Sequence, residues 1–225
     1  MTSNAAVVDP TARDRVTVEG PDAASYLQSQ IAQDIRDLDV GEDRWALVLD
    51  PTGKIDSLAR VRRDADARFV FDTDAGFGEG LAARLSRFKI RVDAEISTSP
   101  ADLDDPAPTF EQERIAAGWP RMGSEIIAGE TIPATTGIEA VAVSFTKGCY
   151  PGQELVERMN SRGADAPKSL RILDVAEGTA VGDPVLDASD AEIGTITSVA
   201  PDGVTALAFV KRGHDLGRPP AHTVT

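Results

Sequence analysis

The chain has little of the chemistry on which common enzyme classes depend. Its 225 residues contain one cysteine and only two histidines, His214 and His222, which lie in a Gly/Pro-rich tail. A zinc site or a Ser-His-Asp triad is hard to build from so few ligands and bases, so we expect no metal site. Because no dinucleotide or phosphate-loop motif occurs, nucleotide-dependent chemistry has no support either.

Long apolar runs and an excess of positive charge are also missing. No stretch of about 18 apolar residues occurs, and the first residues lack the basic flank and apolar run of a signal peptide. A single cysteine cannot form an internal disulfide, which agrees with a reducing compartment. We therefore expect a cytoplasmic protein without membrane contact. Its net charge of −14 argues against direct nucleic-acid binding through the whole surface.

Two local positive regions nevertheless exist on this acidic chain. The first region, residues 147–171, contains five basic and three acidic residues. In the second region, no acidic residue lies between the basic ones. The second region consists of Arg84, Arg87, Lys89 and Arg91. Each region is either a solvated face or a site that attracts a small anion.

The first hundred residues alternate between strand and helix patterns. Helices are expected after Gly20 and near residues 76–88, with Ala23, Leu27, Ile31 and Ile35 on one face of the first helix. The sequence Asp50-Pro-Thr-Gly53 predicts a turn between two strands. Strands are predicted at 15–19, 45–49, 55–62 and 68–71, and the alternation of residues 90–96 predicts another. This order suits an α+β layer, with two helices on one face of an antiparallel sheet.

The rest of the chain follows a Pro- and Asp-rich linker at 97–109. Helices are predicted at 111–117 and 152–160, with an apolar strand at 139–145 between them. From residue 169, short strands with Gly, Pro and Asp turns indicate a small antiparallel β-barrel. The predicted domains are therefore 1–98, 99–167 and 168–225.

The only cysteine occupies the centre of the string Lys147-Gly-Cys-Tyr-Pro-Gly-Gln-Glu154. The Lys147 ammonium and the N-terminus of the following helix both favour a thiolate, so Cys149 and Lys147 are the candidate catalytic residues. The alternative is a buried cysteine that only fills space. Tyr150, Gly152, Gln153 and Glu154 add a ring, a close backbone approach and hydrogen-bonding groups.

This string resembles the signature of the YgfZ family of folate-binding proteins, which are relatives of the glycine-cleavage T-protein. The resemblance continues from Arg158 to Gly163, and it covers most of the chain. It also includes Glu113–Pro120, Thr131–Pro133, Leu27–Gln30 and Ala46–Lys54.

The resemblance implies two ferredoxin-like α+β subdomains and a C-terminal barrel around a central channel that binds tetrahydrofolate. It also implies a role in assembling or repairing iron-sulfur enzymes, including one that modifies tRNA, with these enzymes as partners. Cofactor-binding residues would be Tyr150, Gly152, Gln153, Glu154, Arg158, Arg162 and Arg114. Lys168 is a further candidate for the glutamate carboxylates, and Arg114 is alternatively a surface residue of its helix.

Departures from the T-protein pattern bear on the alternative function, a folate-dependent aminomethyltransferase or methyltransferase. Ala116 stands where the T-protein motif carries the glutamate that binds the pterin. Asp56 lies one or two positions out of register with the paired aspartates, and one residue reverses the face of a strand. A scaffold with a vestigial pocket is a third possibility.

Overall fold

The computed structural model describes residues 9–162 and 166–223, apart from the side chain of Arg162. Its first antiparallel sheet has the spatial order β2-β3-β4-β1-β5. The strands are β1 (Arg13–Glu19), β2 (Asp43–Leu49), β3 (Ile55–Ala65), β4 (Arg68–Asp74) and β5 (Glu95–Ser99). Helices α1 (Ala23–Gln30) and α2 (Gly78–Ser86) cover one face, so the α+β layer predicted for this part is present.

Apolar side chains of both helices and of the sheet form the core that lies between them. Leu27 of α1 and Leu81 and Leu85 of α2 are fully buried against strand residues such as Val16 and Phe71. Burying such side chains stabilises the fold by roughly 1.5–3 kcal/mol each.

Two predicted element bounds in this layer are wrong. Helix α1 ends at Gln30, because Ile31 is extended with ψ 156°, although Ile31 and Ile35 still enter the core. The last strand begins at Glu95 rather than near residue 90. Arg91 has φ +56°, a left-handed conformation that interrupts an extended chain, and Ile90 is 78% exposed.

The opposite face of the sheet packs on a helical region. Its helices are α3 (Pro108–Ala117), α4 (Pro133–Thr136), α5 (Glu139–Ala142) and α6 (Gln153–Arg162). Trp45, Leu47 and Leu49 of β2 share a core with Trp119 and Tyr150 from this region. Trp45 and Trp119 are in contact, with ring centroids 4.7 Å apart.

The second α+β subdomain is not found, because the described residues between β5 and β6 contain no strand. The predicted strand at 139–145 is wrong. Gly137, with φ +72°, ends α4, and the chain turns at once into α5. Ile138 and Ala142 are both buried, and this spacing of four places them on one helical face, although the apolar run resembles a strand.

The C-terminal part forms a four-stranded antiparallel sheet instead of a barrel. Its strands are β6 (Lys168–Asp174), β7 (Pro184–Leu186), β8 (Glu192–Val199) and β9 (Thr205–Lys211), in the order β6-β9-β8-β7. The outer strands, β6 and β7, do not pair with each other, so the described sheet is open. Helix α3 covers one face through Ile115, which joins Leu170 and Phe209 in a core.

The division of the chain at residues 98 and 168 stays a prediction. In the part of the chain that the structure describes, no helix has the length and apolar character needed to cross a membrane.

Candidate functional site

Lys147 holds the beginning of the cysteine segment against the first sheet's layer. Its Nζ donates hydrogen bonds to the carbonyl oxygens of Gln28 and Ile31 at 2.7 Å and of Gln33 at 3.0 Å. Burial lowers the pKa of Lys147 to about 8, whereas three carbonyl acceptors favour the protonated amine with its three N–H groups. The ammonium group therefore holds the cysteine segment in place. That it also favours the thiolate form of Cys149 stays a prediction.

Tyr150 holds the segment from the other side of Cys149. Its ring is buried in the core shared with β2 and β3, and the Lys147 Nζ lies 5.3 Å from the ring centroid. The hydroxyl has no hydrogen-bond partner among the described residues, and burial raises the pKa of Tyr150 to about 12. Tyr150 acts here as a packed anchor.

Gly152 allows the segment to touch the β2–β3 turn. It has φ +81°, and a Cβ at this position would meet the carbonyl oxygen of Asp50 and lie 2.9 Å from the Cα of Gly53. Gly53 is equally restricted, since its Cβ would lie 2.6 Å from the Cβ of Leu155. The close approach expected of Gly152 is thus made to this chain's own backbone.

Helix α6 begins directly after this contact. The Gln153 Oε1 accepts a hydrogen bond from the Tyr150 backbone N–H at 3.3 Å, and its Nε2 donates to Glu157. Glu154 and Arg158 are exposed on the helix, while the side chain of Arg162 lies outside the described residues. Gln153 therefore orders the helix start, and the ligand roles of Glu154, Arg158 and Arg162 stay predictions.

Cys149 and Gly148 form an exposed tip between these anchors. A Cβ at Gly148 would meet no atom within 4 Å, which confirms the open space around the tip. The alternative of a buried, space-filling cysteine is therefore wrong. The structure presents one accessible thiol on a segment that is fixed on both sides.

Arg114 is not a surface residue, because it is only 4% exposed. Its Nε and Nη2 bind the Glu111 carboxylate, and its Nη1 binds the Trp119 carbonyl oxygen and the Glu125 carboxylate. The second Nη2 donor reaches the Ser198 hydroxyl at 3.0 Å. These contacts use all five guanidinium N–H groups, so Arg114 connects α3 to β8 and has no donor left for a ligand.

Asp56 is the extra residue of a β-bulge, since Leu49 pairs with Ile55 while Val48 pairs with Ser57. A bulge re-aims a side chain, and here the Asp56 carboxylate turns toward α2 and lies 3.1 Å from the Arg84 Nε. Burial raises the pKa of Asp56 and lowers that of Arg84. The position of Asp56 was predicted from the regular alternation of side chains along a strand, and this bulge interrupts that alternation.

Arg84 shows that the positive region at 84–91 is only partly a solvated face. Its side chain is 5% exposed and also donates to the Leu49 carbonyl oxygen at 2.8 Å, whereas Arg87 is exposed. Both arginines line a cavity of about 600 Å³ together with Asp56 and Phe77. Small-molecule sites typically occupy about 300–1,000 Å³, so this cavity is large enough for one.

A second cavity, of about 640 Å³, lies between the helical region and the C-terminal sheet. Glu139 and Val156 line it on one side, and Arg171 and Arg212 on the other. None of the four was a predicted ligand. Glu139 lies in a helix of four residues without a recognisable sequence signal, and only tertiary packing brings Arg171 and Arg212 opposite to it.

Lys168 does not line this cavity. Its Nζ lies 4.1 Å from the centroid of the Phe209 ring, and both residues line a different cavity. Among the described residues, no group of three or more His, Cys, Asp or Glu side chains could hold a metal ion.

Comparisons with known proteins find relatives by sequence and a structure of similar fold. The chain is 28% identical over 239 residues to an uncharacterised Haemophilus influenzae protein, covering 87% of this chain and 85% of that one. It is also 28% identical over 221 residues to the tRNA-modifying protein YgfZ of Cronobacter sakazakii, covering 66% and 65%. An IBA57 iron-sulfur cluster assembly factor homologue of Neurospora crassa is 32% identical over 102 residues, covering 43% and 23%. By sequence, the chain is thus similar to YgfZ and IBA57 proteins.

The resemblance to the YgfZ family is thus confirmed, although no protein-family model matches the chain. The matches span less than two thirds of these two named relatives. The fold is that of the glycine cleavage system aminomethyltransferase T of Bartonella henselae. That structure matches with a TM-score of 0.71 at 14% identity, covering 90% of this chain and 77% of that one.

Proposed function

We propose that this chain is a tetrahydrofolate-binding accessory protein that supports the assembly or repair of iron-sulfur enzymes, including tRNA-modifying ones. The observation that carries the proposal is the exposed Cys149 on a fixed segment, in a chain similar to YgfZ and IBA57 proteins. Its partners would be a folate and iron-sulfur client proteins in the cytoplasm, without direct nucleic-acid or membrane contact.

Cys149 is the reactive group in this proposal. Its anchors at Lys147, Tyr150 and Gly152 limit the motion of the thiol, so a client or small molecule meets it in a defined position. One cysteine cannot supply the four ligands that a cluster ordinarily takes. Any cluster bound through Cys149 would therefore be shared with a client or with another chain.

The folate part of the proposal is supported by the fold and by the available space. The aminomethyltransferase fold is shared, and cavities of about 600 and 640 Å³ fall in the range of ligand sites. A folate combines a flat ring with a carboxylate tail, which requires an apolar wall and nearby cations. Both are present in the second cavity, which Val156 and Arg171 line.

The decisive experiment replaces Cys149 with serine or alanine in cells that lack the chromosomal copy. We expect the wild type to restore the activity of a tRNA-modifying iron-sulfur enzyme, and both variants to restore much less at equal protein level. Gly148→Ala is the matched control, because its Cβ meets nothing within 4 Å. Full restoration by Cys149→Ala would contradict the assigned role of the thiol.

Aminomethyl transfer is a second candidate because Asp56 has a raised pKa and lines its own cavity. Purified protein would be assayed with tetrahydrofolate and a lipoyl-bound aminomethyl donor. Turnover that survives Cys149→Ala and is lost in Asp56→Asn would favour this function over the accessory role. If tetrahydrofolate produces neither a thermal shift nor a fluorescence change, the scaffold hypothesis is favoured.

A further inference from the structure

Strand β5 is an edge of the first sheet with no further strand beside it among the described residues. It pairs only with β1, and this pairing has no bulge. Four of its five residues are exposed. Alternate residues of such a strand direct backbone N–H and C=O groups away from the sheet, where they form a template for pairing with another chain. Strand β5 contains neither Pro nor Lys, two residues that commonly block such pairing.

The other edges of the two described sheets are covered or short. At β2, the Leu47 carbonyl oxygen accepts a hydrogen bond from the Ala32 N–H at 2.8 Å. At β6, Ile172 exchanges two backbone hydrogen bonds with Arg218. Strand β7 has three residues and begins with Pro184, which has no N–H to donate. In the described part of the chain, β5 is therefore the edge that is best suited to pair with another strand.

Segments of opposite charge flank β5 in the sequence. The basic loop before it is Arg-Phe-Lys-Ile-Arg, residues 87–91, and the acidic segment after it is Asp-Leu-Asp-Asp, residues 102–105. Among the described residues, the cations of the basic loop form no ion pair, whereas Asp105 lies 3.8 Å from Arg121. Ile90 is 78% exposed and Leu103 is 50% exposed. Each segment thus presents both charged and apolar side chains to the solvent.

These two segments lie at opposite ends of β5. Asp93, just after the basic loop, accepts a hydrogen bond from the Asp22 N–H at 3.1 Å, beyond the end of β1. The N–H groups of Asp102 and Leu103 donate to the Thr11 carbonyl oxygen at 2.9 and 3.0 Å, before the beginning of β1. Two antiparallel β5 strands related by a two-fold axis place the beginning of one beside the end of the other. The basic loop of each copy then faces the acidic segment of the other copy.

We propose that two copies of this chain form a dimer through their β5 edges, with the basic loop of each copy against the acidic segment of the other. A second copy fits this edge because the chain itself carries the complementary segment at the required end of the strand. Because each copy uses its β5 edge once, no such edge remains for a third copy.

This dimer goes beyond the proposed function and does not depend on it. The cysteine segment rests on the β2–β3 turn, and β2 is the opposite edge of the first sheet. Cys149 of both copies therefore stays exposed, and the dimer presents two separate thiols.

Sedimentation velocity of the whole chain measures the association. We expect the wild type to change from monomer to dimer as its concentration rises to about 1 mM. The measurement is made in about 0.15 M salt, because the net charge of −14 opposes association and salt screens it beyond about 8 Å. A wild type that stays monomeric over this range, or that forms assemblies larger than a dimer, overturns the proposal.

Charge reversal tests whether the two segments meet. The loop variant carries Arg87→Glu, Lys89→Glu and Arg91→Glu, and the segment variant carries Asp102→Lys, Asp104→Lys and Asp105→Lys. Each variant alone brings like charges together at both contacts, so we expect its dimer to be at least about tenfold weaker. The segment variant should lose affinity even though it lowers the net negative charge of the chain.

An equal mixture of the two variants restores opposite charges at both contacts. We expect a mixed dimer about as stable as that of the wild type, which would also show that both variants are folded. A mixture that stays monomeric, although both variants have the circular dichroism of the wild type, overturns the proposal. The control carries Arg158→Glu, Lys211→Glu and Arg212→Glu, the same change of charge as the loop variant on three exposed residues elsewhere. An equal loss of affinity in this control overturns the assigned contact.

Amide hydrogen exchange of the wild type at low and high protein concentration locates the interface without any substitution. We expect exchange in β5 to become slower at high concentration and exchange in β7 to stay the same. Slowing that is confined to other strands overturns the proposal. None of these measurements needs a folate or a client protein, so their failure would leave the proposed function intact, and the loss of that function would leave the dimer intact.

Discussion

Glu139 is expected to make the stability of the fold depend on pH. Burial raises its folded pKa above the ordinary value of 4.5, so the folded chain binds more protons than the unfolded chain between these two values. Stability contributed by the neutral carboxyl is therefore lost as pH rises through that window. In the ligand-free protein, we expect Glu139→Gln to gain stability over the wild type from about pH 4 to about pH 8. Urea unfolding at both pH values measures this; a difference independent of pH would contradict it.

Lys147 is the residue on which the position of the cysteine segment depends most. Lys147→Met would leave the carbonyl oxygens of Gln28, Ile31 and Gln33 without this donor. Because each unsatisfied buried acceptor costs about 1–3 kcal/mol, we expect a loss of about 3 kcal/mol in the free energy of unfolding. Urea denaturation measures it, with the exposed Lys168→Met as control. A loss as small as that of Lys168→Met would show that the three contacts contribute little.

At the scale of elements, the contact between the cysteine segment and the β2–β3 turn makes a sharp prediction. Gly152→Ala places a Cβ against the backbone of Asp50 and Gly53 in a left-handed conformation, so we expect destabilisation by about 2–3 kcal/mol. Gly148→Ala, four residues earlier in the same string, should change stability by less than about 0.5 kcal/mol. Thermal and urea unfolding of the pair test this. Equal effects would mean that the segment does not rest on the turn.

The same elements show what local sequence information could predict. Strands β1, β2 and β4 were predicted to within three residues of their observed bounds, because their apolar patterns and flanking turns are local signals. Helix α5 and the bulge at Asp56 were missed. The three apolar residues of α5 fit a strand as well as a helix turn, and no residue type marks the bulge. Cys149 was singled out as a candidate from its neighbours, whereas Glu139 and Arg171 line one cavity only through packing that the sequence does not reveal.

At the scale of the whole molecule, the helical region connects the two sheets. Its apolar side chains share one core with the first sheet and another with the second. A buried polar network strengthens the second connection: Glu125, fully buried, binds Arg114 of α3 and accepts a hydrogen bond from Ser198 of β8 at 2.6 Å. The cavity at Glu139 opens between the same two parts, so its shape depends on how firmly they are held together.

Removing one partner of this network tests that dependence. Glu125→Gln leaves Arg114 buried with Glu111 as its remaining ion-pair partner, and breaking such buried pairs typically costs about 3–5 kcal/mol. We expect a loss of this size, with faster amide hydrogen exchange in both α3 and β8. Gln112→Ala, which removes two exposed hydrogen bonds between α3 and Asp202, is the control and should cost only about 1 kcal/mol. Faster exchange in α3 alone would show that the C-terminal sheet is held by its apolar core, independently of the buried charges.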